Sequence, residues 1–181
     1  MRRSGILAAG VAGLAGAAGF SLAGIADEAA TRREDQLKAG YVFNFVKFVE
    51  WPTSVPADVL TVCFAGAEGV HDALALGIEN KRVGSRRLSV RRLQDAKAAS
   101  GCNVLYLAAA VAPDGPPTVE PTVLTVSDAK GFARNAGIIE LFTVNNRLRF
   151  SINVDNAQQA GLRISSSLLQ LAATVEKGGT Q

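Results

Sequence analysis

Hydrophobic and polar positions alternate along this chain in two rhythms, one of period three to four and one of short apolar runs. The first rhythm begins after the polar stretch Asp27 to Gln36, where Leu37, Tyr41, Phe45 and Phe48 fall on one stripe with Val42, Val46 and Val49 beside it. That spacing predicts a helix, with Lys38, Lys47 and Glu50 marking its opposite side and Trp51-Pro52 ending it, because the residue before proline is driven out of helical geometry. The breadth of the stripe suits a helix largely buried in its own domain, or one whose aromatic residues Tyr41, Phe45, Phe48 and Trp51 meet a partner.

Short apolar runs follow. Leu60 to Ala65 reads as a buried strand, Gly66-Ala67-Glu68-Gly69 as a turn, and Val70 to Glu79 as a helix. Arg87 to Leu93 predicts a strand whose arginines Arg87, Arg91 and Arg92 suit solvated or edge positions. Asn103 to Ala108 and Thr122 to Val126 predict two more strands, separated by a connection rich in Pro and Gly from Pro113 to Pro121. Ile138 to Val144 and Arg147 to Asn153 flank Asn145-Asn146, a pair that tolerates the left-handed conformation a tight hairpin needs. A final helix is expected from Ser166 to Glu176, with Ser165 as its N-cap and Leu168, Leu169, Leu171, Ala172 and Val175 on its apolar face. The sum is an α/β fold: a single domain with a mixed β-sheet of about six strands flanked by helices, closing in a hairpin and a helix.

The first 26 residues change this picture by fixing the compartment. Met1-Arg2-Arg3 precedes an uncharged run from Ser4 to Ala26, and the first acids are Asp27 and Glu28. A basic start, an apolar middle and small residues before a cleavage point describe a secretory leader; cleavage fits after Ala26 or after Ala23. Between Gly5 and Ile25 six Gly and seven Ala dilute seven strongly apolar residues, which makes a weak membrane anchor. The expected division is therefore a cleaved leader, 1–26, and one domain, 27–181.

Charge follows from that division. The 19 Lys+Arg include Arg2 and Arg3, so the mature chain carries 17 − 16 = +1. That balance offers no electrostatic footprint for nucleic acid. Cys63 and Cys102 are an even pair in an exported chain and predict one disulfide, whose loop of about 40 residues would stabilise the fold by roughly 4 kcal/mol in the chain-entropy treatment. Two cysteines and the single histidine, His71, do not make a zinc site, and no CxxC redox motif occurs.

Candidate chemistry is sparse. The strand, Gly-containing turn and helix around Gly66 to Gly69 invite a nucleotide-loop reading, but they lack the GxGxxG fingerprint and the P-loop Lys. No G-x-S-x-G elbow accompanies His71. Ser165-Ser166-Ser167 suits a helix start, and Asp128 suits a turn. Neither an enzyme nor a cofactor is expected.

Several segments together resemble the YfiR family of periplasmic signalling repressors. They are Lys38 to Pro52; Thr61 to Gly66; Cys102 to Leu107; Val123 to Asp128 with Gly131-Phe132-Ala133; Gly137-Ile138-Ile139 with Arg149 to Asn153; and Ile164 to Ala172. The resemblance covers nearly the whole mature chain in order. It implies a periplasmic binding protein that represses a membrane-bound diguanylate cyclase or sensor kinase through that partner's periplasmic domain, lowering cyclic-di-GMP signalling. It also implies sequestration by an outer-membrane lipoprotein, and a homodimer is a further state to consider. Cys63 and Cys102 match one family disulfide, and the second has no counterpart here. The alternative is a periplasmic protein for a small ligand, suggested by the Gly66 to Gly69 turn and the aromatic helix.

N-terminal sequencing of exported protein should find Asp27 or Gly24 as the first residue. An intact Met1 in the membrane fraction would make the segment an anchor.

Overall fold

The computed structural model describes residues 22–56, 58–79, 81–112, 119–135 and 137–177. Residues 1–21 of the expected leader lie outside them. Helix α1 spans Leu22–Phe48 and α2 spans Glu68–Gly77. Among the described residues no helix is long and apolar enough to cross a membrane.

The six expected strands are all present: β2 (Val59–Ala65), β4 (Arg86–Leu93), β5 (Val104–Leu107), β6 (Leu124–Ser127), β7 (Ile139–Val144) and β8 (Arg147–Asn153). With β3 (Arg82–Val83) and β10 (Thr174–Glu176) they form one eight-stranded sheet in the order β10-β8-β7-β6-β5-β2-β4-β3. The five strands from β7 to β4 run parallel, whereas β8 and β3 are antiparallel to their neighbours β7 and β4. A separate pair joins β1 (Val49–Glu50) to β9 (Arg163–Ile164).

Central parallel strands are covered on both faces and therefore read as unbroken apolar runs. β5 and β6 are buried along their whole length. One face carries Leu60, Val62, Phe64, Val104, Tyr106, Leu124, Val126, Ile139 and Ile152, packed beneath α1 and α2. The other carries a smaller core of Cys63, Ala65, Leu105 and Leu107 with Ala99, Cys102, Val123 and Phe132. A short 3-10 helix (Ala96–Ala98) and helix α3 (Phe132–Asn135) flank that second core.

The buried face of α1 is Ala39, Val42, Phe45 and Val46, and Val49 at the start of β1 continues it. Leu37, expected on the stripe, is 51% exposed. The stripe is thus rotated by part of a turn, and Lys38 joins the buried face. The backbone carbonyl of Phe48 accepts a 3.0 Å bond from the Ser165 N–H, which satisfies one carbonyl at the end of α1.

Four differences from the expected elements have identifiable causes. β6 starts at Leu124 and not Thr122, because Thr122 sits at φ 71, a left-handed conformation rare for a β-branched residue. The final helix α5 spans only Ser166–Leu171. Its last expected residues, Thr174 to Glu176, pair instead with Ser151 to Asn153 of β8, so Leu171 and Val175 are exposed and Leu168 alone is buried. The β-branched pair Thr174-Val175 favours that strand. Helix α4 (Val154–Gln159) follows directly from β8 and is capped by the Asn153 side chain, which accepts from the Asn156 N–H. β3 was not expected because a two-residue strand, Arg82-Val83, has no periodicity to read. The hairpin forms as expected, with Asn145 at φ 50 and Asn146 at φ 57.

Phe45→Ala should cost about 3–5 kcal/mol of folding free energy, and Leu37→Ala no more than about 0.5 kcal/mol. Chemical denaturation of the mature domain checks the pair; equal losses would contradict this assignment of the buried face.

Candidate functional site

The aromatic residues singled out in α1 and just beyond it pack in or against the core. Phe45 is fully buried, and its ring meets that of Phe150 at 5.1 Å and that of Tyr41 at 6.0 Å. Tyr41 is partly buried and donates its hydroxyl to the carbonyl of Leu148 at 3.0 Å. Trp51 is 9% exposed, and its indole N–H has no hydrogen-bond partner among the described residues. Phe48 keeps part of its ring accessible, with the Lys47 ammonium 5.8 Å from the ring centre. Packing accounts for Phe45 and Trp51; Tyr41 and Phe48 retain an accessible edge.

A polar cluster that the sequence reading missed lies where the parallel strands end. β2 is followed in the chain by β4 on one side and then by β5 on the other. The direction of strand order reverses there, and in open α/β sheets ligands bind in the crevice outside the carboxyl ends at such a point. Here the crevice receives α1. The Lys38 ammonium reaches Asp128, just beyond β6, at 2.6 Å and Glu34, one turn earlier on α1, at 2.9 Å. The other Asp128 oxygen accepts from the Ala109 N–H at 2.7 Å. Asp128 is thus more than a turn former, and Lys38 occupies the buried phase of α1 with Val42 and Phe45. A lysine four residues before Val42 was the available signal, since a cation on a buried phase needs a partner.

Asp35 and Tyr106 complete the cluster. The Asp35 carboxylate lies against Gly69, where a Cβ would meet Oδ2 at 2.0 Å, so a side chain there would displace the carboxylate. The first turn of α2 has no side-chain cap, so a carboxylate there is favourably placed toward the positive end of the helix dipole. Burial nevertheless pushes the Asp35 carboxyl above its ordinary range, with Lys38 opposing. Tyr106 is fully buried, and its hydroxyl has no hydrogen-bond partner among the described residues. Burial, and secondarily the nearby Asp128 carboxylate, holds the phenol well above its ordinary value. For Lys38, desolvation works against the charge, yet the hydrogen bonds to Asp128 and Glu34 outweigh it and raise the pKa. Chemically the cluster is a clamp with a buried phenol beside it, an arrangement that can orient and bind.

The disulfide joins Cys63 and Cys102 across the smaller core. The register pairs Cys63 with Leu105, three positions beyond Cys102, so two straight strands would hold the sulfurs apart. The chain resolves this by turning before β5: Gly101 is at φ 72 and the Cys102 N–H returns to the Ala99 carbonyl at 3.1 Å. The Arg91 guanidinium braces the turn, donating to Ser100 O at 2.6 Å and meeting Cys102 Sγ at 3.0 Å. On the opposite face Arg92 ion-pairs with Asp72, whose carboxyl is lowered by hydrogen bonds to His71 and Arg92. His71 is thereby a partner in a surface network. Among the described residues no cluster of His, Cys, Asp and Glu could hold a metal ion.

The family model described as YfiR/HmsC-like matches residues 35–173, which include α1 from Asp35 and extend through α5. No curated protein matches the chain. Among solved structures, the ABC domain in complex with L-Trp from Streptococcus pneumonia is similar, with 10% identity and a TM-score of 0.46 over 78% of this chain and 60% of that one. A conserved domain protein from Vibrio cholerae O1 biovar eltor is similar too, with 11% identity and a TM-score of 0.47 over the same shares. The chain thus spans about 60% of the length of these two.

The clamp has a pH signature. Folding raises the pKa of Lys38, so its contribution is complete below the unfolded lysine value and is lost as pH climbs through the folded value. Folding also raises the pKa of Asp35, an acid, so its cost is present above the folded value and relieved as pH falls. Lys38→Met should cost about 2 kcal/mol at neutral pH by orphaning Asp128, and it should flatten the loss of stability in alkali. Asp35→Asn should be neutral or stabilising. Denaturation midpoints across pH check both, and an unchanged alkaline limb in Lys38→Met would contradict the clamp.

Proposed function

The chain belongs to the YfiR/HmsC-like family, and from that membership we propose that it is a periplasmic regulatory binding protein. In this reading it holds a membrane-bound diguanylate cyclase, or a related membrane sensor, in its low-output state and so lowers cyclic-di-GMP signalling. The observation that carries the reading is the extent of the family match, residues 35–173. The disulfide supports export, because such bonds persist in oxidising compartments. Cleavage of residues 1–26 would release the domain into the periplasm.

A repressor of this kind works by differential affinity. It binds the inactive partner more tightly than the active one, since equal affinity shifts nothing. A few kcal/mol of difference switches output, within reach of an interface of ordinary size. The aromatic helix enters through its accessible edge, Tyr41 and Phe48, while Phe45 and Trp51 form the core that presents it. An outer-membrane lipoprotein that sequesters the protein would relieve repression by mass action, and a homodimer would be a second competing assembly.

One observation favours the small-ligand alternative: the Tyr106 hydroxyl, buried with no hydrogen bond of ordinary geometry among the described residues at the point where strand order reverses. Against it, Lys38 and Asp35 of α1 fill the crevice in which such a ligand would lie.

Deleting the gene should raise cellular cyclic-di-GMP several-fold, and mature protein used as bait should retain a membrane cyclase or sensor kinase. Unchanged second-messenger levels, with a stoichiometric metabolite released from purified protein, would overturn the reading in favour of the ligand.

A further inference from the structure

We infer that the outer edge of β4 is a docking strand for an extended acidic segment of a protein partner. This deepens the regulatory reading and rests on it only in requiring a protein partner. The sequence from Lys81 to Leu93 holds six cations, Lys81, Arg82, Arg86, Arg87, Arg91 and Arg92, and no carboxylate. The rest of the mature chain then carries 11 Lys+Arg against 16 Asp+Glu, a net of −5. The molecule is electrically divided, with its positive charge concentrated on one margin of the sheet.

That margin is also open. β3 pairs with β4 only at Arg86 and Arg87. From Leu88 to Leu93 the outer side of β4 has no strand neighbour among the described residues. The Arg87 N–H points inward, donating to Asp58 O at 2.7 Å. Alternation along the strand therefore turns the N–H and C=O groups of Leu88, Val90 and Arg92 outward; the hairpin register sets Lys81 opposite Leu88, and Val90 and Arg92 are ready to pair with an added strand.

The side chains flanking those groups are presented for anions on both faces. In the register with β2, Arg91 shares the face of Cys63, and alternation places Arg87 there too. Arg86 and Arg92 lie on the opposite face. Arg91 is held in place by uncharged acceptors, the Ser100 carbonyl and Cys102 Sγ, and pairs with no carboxylate among the described residues. Among the described residues, Arg92 alone of the five arginines forms an ion pair, with Asp72. Edge charges also protect sheets against indiscriminate pairing. Here all have one sign, so the edge repels a second copy of itself and attracts a strand bearing Asp or Glu at alternate positions.

The test uses the mature protein and a short, end-blocked peptide alternating Glu with Val and Thr. Titration should show binding that weakens as salt rises, and hydrogen exchange should slow at the Val90 and Arg92 amides. The Arg86→Glu/Arg87→Glu variant should bind about tenfold more weakly or worse, and Arg86→Lys/Arg87→Lys should retain most of the affinity. Circular dichroism of both variants establishes that they are folded. Binding that ignores the charge reversal, or that leaves the β4 amides unprotected, overturns the proposal. So does binding to phosphatidylglycerol vesicles with none to the peptide, which would make the patch a membrane contact. If wild-type protein and the charge-reversed variant retain the same membrane sensor equally, the edge proposal fails and the regulatory reading stands. If wild-type protein retains none, the regulatory reading fails and the peptide titration alone decides the edge.

Discussion

The seating of α1 across the sheet is the constraint on which the other features depend. Val42, Phe45, Val46 and Val49 cover the apolar side chains of the parallel strands, and burial of such side chains contributes about 1.5–3 kcal/mol apiece. That contact is non-directional and would tolerate sliding. Two polar features give it direction: the Lys38 bridge to Asp128 at the carboxyl ends of the strands, and the Tyr41 hydroxyl on the Leu148 carbonyl. The same seating brings Asp35 to Gly69 and closes the crevice at the point of strand reversal. A fold family that often holds ligands at this position here holds its own helix.

The two faces of the sheet are stabilised differently. Under α1 and α2 there is a broad aliphatic and aromatic core, whereas the other face has a small one covered by turns and short helices. A small core is where a covalent tie matters most, and the Cys63–Cys102 bridge fastens the turn before β5 to the central strand β2. Arg91, on the neighbouring strand, braces the same turn. The arginine-rich edge strand is thus linked to the fold's covalent staple, which keeps its charges in fixed positions.

Most of the architecture was legible because buried parallel strands advertise themselves as apolar runs and α1 as a three-four repeat. Ser165 as an N-cap and Asn145-Asn146 as a hairpin turn were legible because each depends on local chemistry. The phase of α1 was not, because a stripe containing Leu37 and Tyr41 is nearly as apolar as the true buried face. Only the partner of Lys38, ninety positions away in sequence at Asp128, decides between them. The end of α5 was misread for a related reason: Val175 continues a helical pattern, but the open backbone of β8 beside Ser151 to Asn153 recruits it as a strand. Long-range pairing overrode local pattern in both places.

Binding that distinguishes two states of a membrane partner is the central claim, and titration measures it most directly. Mature protein would be added to membranes bearing the partner cyclase, while cyclic-di-GMP formation is followed against protein concentration. The account predicts a saturable fall in output, with tighter binding to an inactive-locked cyclase than to an active-locked one. Undiminished output at saturating bound protein, or equal affinity for the two locked forms, would contradict it.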